Sequence, residues 1–159
     1  MTSETVAAIT RALTTAGSRA DGARAIAEAV RAARGYRWVG VYDVDEGEVA
    51  IIAWSGAGPP AHPRFARTQG LTGAALASSQ TVVVNDVASD PRYLDAFGDT
   101  RAEMIVPITG TDGVVRGTID VESDVANAFS ADDQAFLEAC ARAAGPLWAA
   151  PVTDGGEVG

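Results

Sequence analysis

The segment Glu103–Glu122, EMIVPITGTDGVVRGTIDVE, reads as a β-hairpin. Two runs rich in Val, Ile and Thr flank Gly110-Thr111-Asp112-Gly113, and Asp-Gly marks a tight turn because Gly accepts a positive φ. In the second run Val115, Gly117, Ile119 and Val121 alternate with Arg116, Thr118, Asp120 and Glu122, so the two sets take opposite faces of a strand. The apolar face is predicted to lie on a core. The other face carries Asp120 and Glu122 two residues apart, and Glu103, which opens the partner strand, comes near them.

A chain of 159 residues predicts one domain, long enough to bury a core without covalent staples. The net charge of −9 argues against a nucleic-acid footprint and against adsorption to anionic membranes. One cysteine, Cys140, excludes an internal disulfide framework and any multi-cysteine metal site. Glu4 and the absence of a basic start before an apolar run do not fit a signal peptide, and no stretch reaches the ~18 apolar residues of a membrane span. These features predict a soluble, cytoplasmic protein. The Ala-, Arg- and Asp-rich composition suggests a GC-rich bacterial source.

Working outward, residues 2–16 predict a helix capped by Thr2 or Ser3, with Val6, Ile9 and Leu13 at helical spacing. Gly17 ends it. Asp21 is predicted to cap a second helix reaching Arg34, with Ile26 and Val30 on one face and Gly35 as its stop. Both helices are rich in Ala, which allows close approach of a second copy; Ala is also simply a good helix former. Residues 38–44 and 49–54 predict a second hairpin around Asp45-Glu46-Gly47, with Trp38, Gly40 and Tyr42 sharing a face. Residues 55–69 are punctuated by Gly and Pro and read as an irregular loop. A short helix follows at 74–79, a brief strand at 82–84 and a second irregular segment at 90–100. Ser130 caps a last helix whose apolar stripe is Phe136, Leu137, Cys140, Ala144, Leu147 and Trp148. Residues 151–159 read as a disordered tail.

This order of elements, together with four local patterns, resembles a GAF domain over about residues 20–148. The patterns are Gly70-Leu71-Thr72-Gly73-Ala74-Ala75, Val84-Asn85-Asp86-Val87, Gly117-Thr118-Ile119-Asp120-Val121-Glu122-Ser123 and Phe129-Ser130-Ala131-Asp132-Asp133. Within that family Trp38-Val39-Gly40-Val41-Tyr42, Glu103-Met104-Ile105-Val106-Pro107-Ile108 and Ile119-Asp120-Val121-Glu122-Ser123 are similar to strands of the free methionine-R-sulfoxide reductases. The resemblance implies that acids at Glu103, Asp120 and Glu122 help hold a small molecule in a pocket. It departs at the sulfur chemistry. The enzymes carry cysteines where this chain has Thr72, where the alignment gives Ala96, and near His62-Pro63-Arg64. Reduction of a sulfoxide needs an attacking thiolate and a resolving thiol, which Thr72 cannot replace.

Alternation alone would leave Glu103, Asp120 and Glu122 as solvated surface acids; the matched motif positions favour a site. Trp38 and Tyr42 are either core residues or an aromatic wall that favours a cation. His62 in its Pro-rich loop reads as a surface residue, and nothing beside it completes a metal site. Arg64, Arg67, Arg92 and Arg101 either rim the pocket or pair with local acids. Bilin attachment would need a pocket cysteine, haem has only His62 available, and the cyclic-nucleotide signature is incomplete because Asn127 lacks its following Lys.

The sequence therefore predicts an α+β fold, with a central antiparallel sheet, terminal helices on one face and a pocket on the other. Its predicted parts are an N-terminal helix at 1–19, a GAF domain at 20–150 and a tail at 151–159. The predicted function is a small-molecule-binding sensory module for an amine-bearing ligand, without redox catalysis, catalytic residues, cofactor or metal. Its predicted ligand-binding residues are Trp38, Tyr42, Thr72, Glu103, Asp120 and Glu122. A homodimer through the terminal helices is a possible partner arrangement, and a relative of the sulfoxide reductases with altered or lost activity is the alternative.

Overall fold

A computed structural model describes residues 2–95 and 97–149; the predicted tail at 151–159 and the Ala96 position lie outside them. Helices α1 (Thr2–Thr15) and α2 (Arg19–Arg34) are followed by strands β1 (Trp38–Val44), β2 (Glu48–Gly56) and β3 (Arg64–Ala66). Helix α3 (Gly70–Ser78) and strand β4 (Val82–Val84) lead to the hairpin β5 (Ala102–Thr109) and β6 (Val115–Ser123), and helix α4 (Ala131–Ala144) follows. The six strands form one antiparallel sheet in the order β3-β2-β1-β6-β5-β4.

The sequence sets most of these boundaries by simple chemistry. Gly113 sits at φ +82° in the β5–β6 turn, a conformation a side chain resists. Helix α2 ends at Gly35 in the left-handed conformation, with its N–H on the Arg31 carbonyl. In α4 Ser130 and Asp133 exchange a reciprocal pair of hydrogen bonds, a full capping box.

Four expectations change. The cap of α2 is Ser18, whose hydroxyl accepts from the Asp21 N–H at 3.1 Å; Asp21 instead lies in the first turn, where its charge suits the helix dipole. The loop at 55–69 contains β3, an edge strand held to β2 by the Arg64–Glu48 ion pair and by backbone pairing, and β2 itself runs on to Gly56. Helix α3 starts at Gly70 rather than at Ala74. Gly73 lies against the Thr68 carbonyl so closely that a Cβ there would overlap it. Helix α4 stops at Ala144, and Leu147 and Trp148 belong to a 3-10 turn after it.

Both faces of the sheet are covered. Helices α2 and α4 pack on one face over Val39, Val41, Met104, Val106, Ile119 and Val121, and α1 packs against both helices. On the other, Trp38, Tyr42, Val44 and Val49 form one apolar cluster, and Leu71 and Ala75 of α3 close over Ile105 in a second. Among the described residues no helix is long and apolar enough to cross a membrane.

Candidate functional site

Strand register assembles the site. Glu103 pairs directly with Glu122 across β5 and β6, and Glu122 pairs with Trp38 across β6 and β1. Asp120 lies opposite Gly40, and Thr118 opposite Tyr42. Because directly paired residues share a face, the three acids, Trp38 and Tyr42 all project from the side opposite the three long helices. One carboxylate oxygen from each acid lies within 4.8 Å of the other two. That spacing suits one ammonium group or one divalent cation. The acids are buried, with exposures of 5% for Glu103, 5% for Asp120 and 2% for Glu122.

Burial and mutual repulsion shift all three upward. Removal from water, reinforced by the charges of Asp120 and Glu122, pushes Glu103 well above the usual carboxylate range. Burial raises Asp120 to about 6, opposed by its bond with Glu103. Burial and the Asp120 charge raise Glu122 to about 8, opposed by the Thr100 hydroxyl, which donates to Glu122 Oε1 at 2.6 Å. Burial and the same three acids push the Tyr42 phenol up. Asp120 Oδ1 and Thr118 Oγ1 are buried without a hydrogen-bond partner among the described residues.

A cavity of about 30 Å³ opens in front of the acids. Tyr42, Thr72, Glu103, Asp120 and Glu122 line it; Leu71, Phe65 and Leu94 make its apolar wall, and Pro60 and His62 reach it from the loop after β2. Of the residues singled out in the sequence, Trp38 does not line the cavity. It stands behind it, with ring-centroid distances of 6.4 Å to Tyr42 and 5.0 Å to Phe97, and its Nε1–H donates to the Gly58 carbonyl at 2.9 Å. His62, read as a surface residue, is exposed but touches the mouth. The apolar wall was missed because Phe65 and Leu94 sit in segments without hydrophobic periodicity. The arginines of the two irregular segments are engaged elsewhere or absent from the lining: Arg64 pairs with Glu48, Arg92 with Asp90, and Arg67 donates to the Asp45 carbonyl at 2.7 Å. Cys140 lies in the helix-side core, fully buried, where burial pushes its thiol up to about 12.

Comparison with known proteins matches this architecture. The family profile for the GAF domain covers residues 18–158. The chain belongs to the GAF domain family. This GAF domain is 31% identical over 101 residues to GAF domain-containing protein A of Dictyostelium discoideum, covering 63% of this chain and 62% of that protein. It is 34% identical over 74 residues to the free methionine-R-sulfoxide reductase of Saccharomyces cerevisiae, covering 46% of this chain and 41% of the yeast protein. The matched region thus spans less than two thirds of either relative. Among solved structures, the free methionine-R-sulfoxide reductase of Neisseria meningitidis in complex with its substrate superposes with a TM-score of 0.83 at 27% identity, over 92% of this chain and 87% of that one.

Proposed function

We propose that this GAF domain binds a small molecule bearing a primary ammonium group, such as a free amino acid or a derivative of one, and performs no redox chemistry on it. The observation that carries this reading is the Asp120 carboxylate, buried among two further acids, facing a cavity that no described Lys or Arg lines, with one oxygen lacking a donor among the described residues. An ammonium group brings three N–H donors and a positive charge to that point, which is what the cluster lacks. The small cavity suits the ammonium head, and the remainder of the ligand extends along Leu71 and Leu94 toward the mouth at Pro60 and His62. A thermal-shift and calorimetric screen of free amino acids, with methionine and methionine sulfoxide included, tests the reading. A hit lost in Asp120→Ala and Glu122→Ala is expected; a hit indifferent to both substitutions rejects the site.

The similarity to free methionine-R-sulfoxide reductases supports a second reading, an enzyme of that kind. Thr72 in the pocket and the remote, buried Cys140 weigh against it, since no described thiol lines the cavity. A coupled assay with thioredoxin, its reductase and NADPH on free methionine sulfoxide separates the two. No consumption of NADPH above background is expected.

A further inference from the structure

Three carboxylates that share a cavity cannot all ionise without a compensating charge. At ~4 Å each like-charged pair repels by several kcal/mol in a partly shielded interior. Among the described residues, the groups facing the cluster supply no such charge. Strand β1 offers the Tyr42 phenol; β4 presents only Val82 and Val84; α3 presents Leu71 and Thr72. The segment before β5 adds the Thr100 hydroxyl and, further out, Asp95, whose negative charge makes matters worse for Glu122. His62 stands at the mouth, exposed. The β5–β6 pairing fixes Glu103 against Glu122, so the backbone cannot separate them. Asp120 Oδ1 meanwhile has no donor among the described residues.

We propose that the ligand-free triad of Glu103, Asp120 and Glu122 carries a shared proton in place of a cation, and that a primary ammonium group enters the pocket by displacing that proton to solvent, so that pH governs occupancy. This rests on the ammonium-binding reading and adds its regulation. The exchange balances without a co-reactant. The O–H of the Glu103 carboxyl is lost to water or buffer, and N–H···O hydrogen bonds from the ammonium group replace it. A quaternary ammonium ion has no N–H to offer and cannot make the substitution. The raised proton affinities of all three acids agree with a protonated resting state.

The test needs no knowledge of the natural ligand. Melting temperatures of the full chain are recorded at pH values of about 5.5 and about 8.5, below the value of about 6 for Asp120 and above that of about 8 for Glu122. Each is measured in ~0.5 M methylammonium chloride and in an equal concentration of tetramethylammonium chloride, so that ionic strength is matched. Methylammonium is expected to exceed tetramethylammonium by about 2 °C or more at the higher pH, and by nothing measurable at the lower. Without added amine, the wild-type melting temperature is expected to fall as pH rises across this range, and to fall less in Glu103→Gln, whose amide keeps the shape but cannot ionise. Glu122→Gln gives the same comparison should Glu103→Gln not fold. A pH response identical in wild type and the foldable variant overturns the proposal, as does a methylammonium effect equal at both pH values or absent at both. A blank amino-acid screen alongside a pH-dependent methylammonium effect would remove the ligand reading and leave the exchange standing. An amino-acid hit whose affinity does not change with pH would do the reverse.

Discussion

Glu122 shows how differently one residue reads in a strand pattern and in a fold. In the alternation of β6 it falls on the polar face, where an acid ordinarily meets water. In the structure it is 2% exposed and hydrogen-bonded to Thr100. The clustering of the three acids was legible: period-two alternation put Asp120 and Glu122 on one face, and hairpin register brought Glu103 beside them. The burial was not, because the cover comes from α3 and the loop after β2, whose residues announce no packing face. The consequence is a pH dependence. Glu122 has a folded-state value of about 8 against an ordinary 4.5, so its contribution is fully present below pH ~4.5 and is lost as pH rises through ~8. Glu122→Gln is expected to be more stable than wild type at pH ~9 by on the order of 2 kcal/mol, with the advantage shrinking toward pH ~5. Urea denaturation at the two pH values measures it. Gly40 carries a second expectation. A Cβ there would overlap the Trp38 ring and lie 3.0 Å from Tyr42 Cε1. Gly40→Ala should therefore cost about 1–3 kcal/mol by overpacking, read as a lowered denaturation midpoint at unchanged slope.

At the level of elements, what the sequence made plain were the pieces whose own residues enforce them. The β5–β6 hairpin has an Asp-Gly turn and strict alternation, and α4 has Ser130 three residues before Asp133. Strand β3 was invisible because its three residues carry no periodicity; it exists only as an edge added to β2. The cap of α2 was displaced because Ser18 and Asp21 are both competent residue types, and which one stands at the boundary depends on where the chain turns after Gly17. Helix α4 allows a graded test. Ser130→Ala removes one half of the capping box and should cost about 1 kcal/mol. Asp133 does more. It accepts from the Ser130 N–H at 2.9 Å, from the Tyr36 hydroxyl at 2.6 Å and from Arg34 Nη1 at 3.1 Å, tying α4 to the end of α2. Asp133→Ala leaves those donors behind in a half-buried seam. It should cost about 2–3 kcal/mol, more than Ser130→Ala by equilibrium unfolding. Equal costs would mean that the seam contributes nothing.

The molecule as a whole divides its two sheet faces by chemistry. The helix side is a continuous apolar core, and the other side combines aromatic packing with the acid-lined cavity. Cys140 lies on the wrong side of that division for any reaction in the cavity. It is fully buried among residues of α1, α2 and α4, and burial holds its thiol at about 12, so almost no thiolate forms at neutral pH. Two conditions for reactivity, access and ionisation, fail together. Reaching it requires α4 to leave the sheet, which exposes Phe136 and Leu137 as well and so approaches the cost of global unfolding. Alkylation of the native protein by iodoacetamide near neutral pH is therefore expected to proceed only at the rate of global opening. Its dependence on urea should share the slope of equilibrium unfolding, and the thiol should react at once in denaturant. Rapid labelling of the folded protein would place α4 in a locally open state and would return Cys140 to consideration as a redox centre.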